Sequence, residues 1–407
     1  MNIKTIVLII AGLQLTGCLS PEITKQDPVT EDTPPLADFD SVAMVKSPVI
    51  MRGMLRARSP RATLSGEEWE RQRYYSTEYA VMRTLRWFKK EQSKNGSWHS
   101  RKDPRAVATG LAVLCFLAHG DTPASDEFGE TVEKALLFLL SIQDENGRFD
   151  GATENPAIEH GIIAWSLCET YGMTKIPMCM EAAIKAVNVI LEAQLPAGLW
   201  SATYKTNAVP DIESSVWQIR ALRSARLAGL HDERLVPAIQ KTGSPLKAYV
   251  EEGKHQDRLA PVIIALQYSG NGRDPVCKNA VQTLNGQALD WQNPQYDNPV
   301  YQWHYITEAA FMEGGKVWDS WNKSFAPTLP RTQIIRENGT KDHKGKDVDI
   351  GYWISPSKKE RNGKIYATAL CCLMQEVYAA WRPTFYIPVP EEKEVILQTE
   401  DIEIEIL

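Results

Sequence analysis

Six apolar helical stretches in this chain of 407 residues carry polar side chains that could do chemistry. Aligned on "ATGLA", they bring Thr109, His160, Ser214, Pro261, Thr307 and Thr368 to one level, with Arg105, Asp211, His304 and Lys364 one turn earlier. Imidazoles at 160 and 304 suit acid–base work or ligand contact, because their charge changes near neutral pH. A catalyst built on two carboxylates needs acids that face each other, and Asp211 with Glu308 is the pair these stretches offer. The catalytic candidates are therefore His160, His304, Asp211 and Glu308. Residues that could line a ligand site are Thr109, His160, Ser214, Trp217, Trp303, His304, Tyr366 and Thr368, with Trp165, Tyr301, Tyr305, Tyr352 and Trp353 nearby. The competing reading is packing: a hydroxyl on a covered helix often bonds back to its own backbone, and aromatics at helical spacing mostly fill a core. No CxxC pair or Cys/His spacing suggests a metal site, and no cofactor is expected.

These positions depend on a repeated turn. "WFKKEQSKNGSW" (87–98), "FLLSIQDENGRF" (138–149) and "VILEAQLPAGLW" (189–200) share one frame. Their glutamines stand at 92, 143 and 194 and their glycines at 96, 147 and 198, each series stepping by 51 residues. Before the first turn, "EYAVMRTLRWFKKEQ" is apolar at Val81, Leu85 and Phe88, an amphipathic helix. After it, "DPRAVATGLAVLCFLAHG" opens with Asp103 and Pro104, a cap and first-turn pair, and is apolar nearly all round. A half-covered helix followed by a covered one, repeated six times, predicts an outer and an inner ring. The fourth pair loses the turn. In the sixth, an insertion (334–350) separates the first helix from Gly351-Tyr352-Trp353. A Gln ending one helix, a Gly allowing tight reversal and a Trp packing back over the Gln would staple each pair.

This spacing resembles the QW motif of the squalene cyclase and protein prenyltransferase β-subunit superfamily, over residues 75 to about 385. "KIYATALCCLMQEVYAAW" and "YQWHYITEAAF" are similar to a bacterial branch with prenyltransferase/squalene-oxidase-type repeats. The resemblance implies an all-α fold, an α/α toroid of about six outer and six inner helices, with a cavity entered at the inner-helix N-termini. It implies no borrowed chemistry. The nearest approach to the cyclase Asp-x-Asp-Asp motif, Asp347-Val348-Asp349-Ile350, lacks the last Asp and lies in the insertion. Asp274-Pro275-Val276-Cys277 has the wrong spacing for the prenyltransferase zinc ligands, and no Cys-Gly-Glu-Gln thioester turn is present.

At the N-terminus, Lys4, an apolar run from Ile6 to Leu15 and Leu15-Thr16-Gly17-Cys18 resemble a bacterial lipoprotein signal peptide (1–18) with lipidation at Cys18. Leu19 after the Cys leans towards the outer membrane. Residues 19–70, rich in Pro, Ser, Thr and charge, read as a flexible tether, 71–388 as the toroid and 389–407 as an acidic tail. A net charge of −6 gives no nucleic-acid footprint. Cys168 and Cys179 flank a short helix connection, where a disulfide or two thiols would both fit. The expected function is an envelope lipoprotein that binds an apolar or isoprenoid-like ligand or a protein partner. The alternative is an enzyme, terpenoid cyclase-like or glycan-active, using acid–base residues in the cavity.

Overall fold

Why should one helix of each pair be covered on every side? In the computed structural model, which describes residues 76–149, 155–205, 207–253 and 258–379, the answer is a closed circuit of helix contacts. Cys18, the segment before it, the tether and the tail lie outside the described residues. In chain order the pairs are α1 (Thr77–Glu91) with α2 (Arg105–His119), α3 (Gly129–Ser141) with α4 (Pro156–Thr174), and α5 (Pro177–Glu192) with α6 (Ile212–Leu227). Then come α7 (Leu235–Lys241) and α8 (Gly243–Glu252) with α9 (Leu259–Tyr268), α10 (Pro275–Gln282) with α11 (Pro299–Glu313), and α12 (Gly315–Thr328) with α13 (Lys364–Gln375). Among the covered helices, α2 packs on α4, α4 on α6, α6 on α9, α9 on α11, α11 on α13, and α13 returns to α2. That circuit explains the burial: α2 hides every residue from Ala106 to Ala118, whereas α1 hides one face and leaves Glu91 in solvent. The described part of the chain is mostly helical, and no described helix is long and apolar enough to cross a membrane.

Each of the three repeated turns is held by one glutamine. The Gln92 amide nitrogen donates to the Gly96 carbonyl (2.9 Å) and to the Thr131 carbonyl on α3 (2.8 Å). Gln143 does the same to Gly147 (3.1 Å) and Ala182 on α5 (2.9 Å), and Gln194 to Gly198 (2.9 Å) and Ala238 on α7 (2.8 Å). One amide thus closes its own turn and fastens it to the next half-covered helix. The turn glycines sit at φ 85°, 84° and 97°, where a Cβ is strained. A Cβ at Gly147 would also stand 2.6 Å from the Lys185 carbonyl oxygen. The indole nitrogens of Trp98 and Trp200 bond back to the Phe88 and Ile190 carbonyls (2.8 and 2.7 Å).

The insertion hides a fourth copy. Gln333 donates to the Ala80 carbonyl on α1 (2.8 Å), so the last pair is fastened to the first, and Trp353 donates to the Leu329 carbonyl (3.1 Å). Between Gln333 and Gly351 the chain forms an antiparallel hairpin, β1 (Ile334–Lys341) and β2 (Asp347–Tyr352), with an irregularity between Arg336 and Thr340. These strands qualify the all-α expectation. Asp103 also differs from its expected role. Its carboxylate accepts from the backbone nitrogens of Gly363 (2.8 Å), Ile365 (3.1 Å) and Tyr366 (3.3 Å), so it caps α13 rather than α2. Cys168 and Cys179 are free, buried thiols, and burial pushes the Cys179 thiol up to about 12.

Replacing Gly147 with Ala is expected to cost about 2 kcal/mol or more, because strain and the Lys185 clash add. Gln143→Ala is expected to cost about 1–2 kcal/mol for the two hydrogen bonds lost, to the Gly147 and Ala182 carbonyls. Urea unfolding of both variants measures the difference.

Candidate functional site

The level that the sequence alignment picked out faces the turns. Thr109 donates to the Arg105 carbonyl (2.7 Å) and accepts from the Trp98 backbone nitrogen (3.1 Å). Thr368 accepts from the Trp353 nitrogen (3.0 Å) in the same way. On α6 the matching hydroxyl is Ser215, which accepts from the Trp200 nitrogen (3.0 Å), so Ser214 is one residue out of register. Ser214 instead lies 2.5 Å from Asp211 Oδ2 and 3.2 Å from Asn155 Oδ1. Asp211 is the N-cap of α6, accepting from the Ser214 backbone nitrogen at 2.7 Å. His160 donates from Nε2 to the Ala186 carbonyl on α5 (2.9 Å), with its ring against Phe149 and Tyr204. Trp303 packs on Trp291. Asp211 is partly exposed, whereas Thr109, Ser214, Trp217, His304, Thr368 and Glu308 are 0% exposed and His160 and Trp303 1% exposed, with almost no surface to offer a ligand.

Deeper in, a charge cluster fills the interior, joining the candidates His304 and Glu308 to Arg220, which the sequence reading missed. Arg220 on α6 forms an ion pair with Glu308 on α11, both fully buried, and His304 Nε2 lies 3.6 Å from the other Glu308 oxygen. The guanidinium sits among four rings, with centroids of Tyr305, Trp217, Trp165 and Tyr268 at 4.8, 5.1, 5.2 and 5.5 Å. Its Nε and Nη1 have no hydrogen-bond acceptor, so ring faces take the place of oxygens around them. Burial works against this charge, but the Glu308 carboxylate, Tyr305 and Tyr268 together hold Arg220 above its ordinary value. Glu308 is therefore the counter-ion of Arg220 and Asp211 a helix cap. They do not act as a facing carboxylate pair, and His160, bonded to α5, stands apart from His304 and Glu308.

Partly open polar groups gather instead where the covered helices begin. Asp103 joins the start of α2 to that of α13, Asn155 joins α4 to α6, and the Arg361 backbone nitrogen donates to Asn298 Oδ1 before α11 (3.2 Å). Arg361 Nη2 lies 3.7 Å from Glu213 Oε2 on α6, whose side chain is 26% exposed. Tyr301 stands beside Glu213, and its ring packs on Tyr305 with centroids 4.8 Å apart. Tyr366 on α13 stands close by, and it and Tyr301 are each 7% exposed. Burial raises Glu213, Asp211 adds to that, and Arg361, Arg258 and Tyr301 pull it back. Burial likewise pushes Tyr301 and Tyr366 well above the ordinary phenol range. Chemically this mouth offers a carboxyl that keeps its proton longer than usual, tyrosine hydroxyls and two guanidinium groups. The signal for Glu213 and Arg220 was their charge within a helix that must be covered on all sides. Among the described residues no group of three or more His, Cys, Asp or Glu side chains could hold a metal ion. Comparison of the chain with family models, curated proteins and solved structures finds no match.

Two outcomes follow from these charges. Arg220→Met leaves Glu308 buried without its counter-ion and is expected to cost about 3–5 kcal/mol, most of it recovered in Arg220→Met/Glu308→Leu. Thermal unfolding of the three proteins tests this. For Glu213 the folded carboxyl lies above its ordinary 4.5, so its contribution is full below 4.5 and is lost as pH rises through the folded value. Glu213→Gln should therefore lose less stability than the parent between acid and neutral pH.

Proposed function

We propose that this chain is an envelope lipoprotein, anchored through Cys18, whose α/α toroid binds its ligand at the mouth formed by the inner-helix N-termini. The toroid is supported by the closed contact circuit of α2, α4, α6, α9, α11 and α13, and by Gln333 fastening the last pair to α1. These same features favour the resemblance to the squalene cyclase and prenyltransferase superfamily. The anchor rests on the Leu15-Thr16-Gly17-Cys18 lipobox.

One observation carries the choice of the mouth. Most side chains expected to line a central cavity are sealed, while one of them, Tyr366, is gathered with Glu213, Tyr301 and Arg361 at an end that solvent reaches. An apolar ligand threading the centre would have to displace the Arg220–Glu308 pair, at the cost of separating buried charges. A ligand at the mouth meets hydroxyls, a carboxyl and guanidinium groups without that disruption. The ligand is therefore read as a polar group of an envelope molecule or of a protein partner, held without chemistry.

A raised carboxyl beside a tyrosine hydroxyl favours the enzyme as the second reading, with Glu213 as a general acid towards a glycan. One experiment separates the two. The full chain is extracted from membranes and its native mass spectrum recorded, alongside Glu213→Gln and Tyr301→Phe. Binding predicts an adduct in the parent that both variants lose, released unchanged on denaturation. An altered product in the released fraction supports the enzyme. An adduct kept by both variants overturns the mouth as the site.

A further inference from the structure

The loops that frame the mouth have an unusual charge distribution for a chain of net charge −6. Between Trp98 and Arg105 the cations are Arg101, Lys102 and Arg105, and between Trp353 and Lys364 they are Lys358, Lys359, Arg361 and Lys364. All seven are exposed. The only acids in the two segments are Asp103 and Glu360, and these are 2% and 5% exposed. Asp103 is turned inward to cap α13, and Glu360 accepts from Ser355 (3.2 Å) while burial raises its carboxyl towards the neutral form. Both segments therefore show solvent only positive charge. They are also one surface, since Lys102 Nζ donates to the Glu360 carbonyl (3.2 Å) and Asp103 grips the Gly363 nitrogen (2.8 Å).

Three of the seven are balanced from outside the segments: Lys359 by Asp297 (2.8 Å), Lys364 by Glu91 (3.6 Å) and Arg361 by Glu213 (3.7 Å). Arg101, Lys102, Arg105 and Lys358 have no acidic partner among the described residues. Two apolar side chains project from the same end. Ile354 follows Trp353 and is 52% exposed, and Val209, four residues before Glu213, is 83% exposed, the most open large apolar side chain among the described residues.

Unpaired cations beside protruding aliphatic groups match the chemistry of a lipid headgroup layer, with phosphates for the cations and a shallow apolar boundary for the side chains. We propose that this face docks on an anionic phospholipid surface, with Arg101, Lys102, Arg105 and Lys358 on the phosphates and Val209 and Ile354 dipping between headgroups. A soluble polyanion would use the cations but leaves the two aliphatic side chains without a purpose. Docking places the mouth against the membrane. It thus rests on the mouth reading only for its consequence, not for its occurrence.

The test uses the full chain on phosphatidylcholine vesicles with or without phosphatidylglycerol. A dye is attached at Asn207→Cys, beside Val209, or at Glu233→Cys, in the turn that follows α6, and quenched by a lipid-borne nitroxide. Docking predicts quenching at 207 but not 233, only with phosphatidylglycerol and weakening with salt. Arg101→Gln/Lys358→Gln should lower the docked-to-free ratio by about twenty-five-fold, at roughly five-fold for each cation removed. Val209→Ser/Ile354→Ser should lower it less, also only on the anionic vesicles. Equal quenching at both labels, or quenching indifferent to phosphatidylglycerol, overturns the proposal. So does tight binding of polyphosphate with no quenching. Flotation on the neutral vesicles reads the Cys18 anchor separately, and Tyr301→Phe should leave docking unchanged while removing the ligand at the mouth.

Discussion

The glutamine amide that ends a half-covered helix is the interaction on which the rest of the architecture depends. A turn alone would close one pair of helices. A contact to the neighbouring helix alone would leave the turn free to open. Because Gln92, Gln143, Gln194 and Gln333 each hold two acceptors, every turn is set in register with the next pair. The glycines at 96, 147 and 198 are a consequence: only without a Cβ can the backbone approach the neighbouring helix closely enough for the amide to reach. The indoles of Trp98, Trp200 and Trp353 each bond back to a carbonyl that precedes the turn. The device is absent from the fourth pair, where the half-covered element breaks into α7 and α8, and from the fifth, where α10 is only 8 residues long.

Closing a circuit of apolar helices raises the question of what fills its middle. Side chains from six helices converge there, and aliphatic groups alone would pack without specifying register. The Arg220–Glu308 pair joins α6 to α11, which are not neighbours in the circuit, and so constrains it across rather than around. Such a pair is weak support for stability, since desolvation takes back most of the attraction. Its stronger effect is on specificity: any slip of α6 by one residue would bury a bare guanidinium. The aromatic faces of Trp165, Trp217, Tyr268 and Tyr305 make the site tolerable for a cation with two unbonded nitrogens.

The sequence was legible wherever a period controlled the structure. The 51-residue step located three turns and their helix pairs, and apolar patterning located three more, although the fourth half-covered helix divides into α7 and α8 and α10 ends at Gln282. It failed where the contact was made between distant segments. The sixth turn was legible as one split by the 17 residues 334–350, but neither their hairpin nor the bond by which Gln333 fastens the last pair to α1 was. Asp103 read as the cap of its own helix, since nothing in the local order reveals that Gly363 lies nearer to its carboxylate. The candidate site suffered from a related ambiguity. A covered helix has two sides that matter, one towards its staple and one towards the centre, and alignment on small residues found the staple side. Thr109 and Thr368 were thus aligned correctly with each other but face Trp98 and Trp353, and Ser214 was one place off. Arg220 and Glu213, which face the centre and the mouth, had no counterpart in the other repeats to align with.

That last contrast says something about where selection for function would show. Residues that recur at the repeat period hold the scaffold, because each copy of the turn asks for the same chemistry. Residues that break the period answer to a single place. Arg220, Glu308, Glu213, Tyr301 and the cation-bearing segments at 101–105 and 358–364 all break it. They also share one direction, from the sealed pair at the centre through Tyr305 and Tyr301 to the open carboxyl of Glu213 and then to the exposed cations of the rim. Polarity rises and burial falls along that line. A scaffold needing only stability would place its charges evenly around the circumference. Concentrating the aperiodic polar residues on one axis, with Asp103 and Glu360 of the two cation-bearing segments turned inward, makes one end of the molecule chemically different from everything the repeat itself requires.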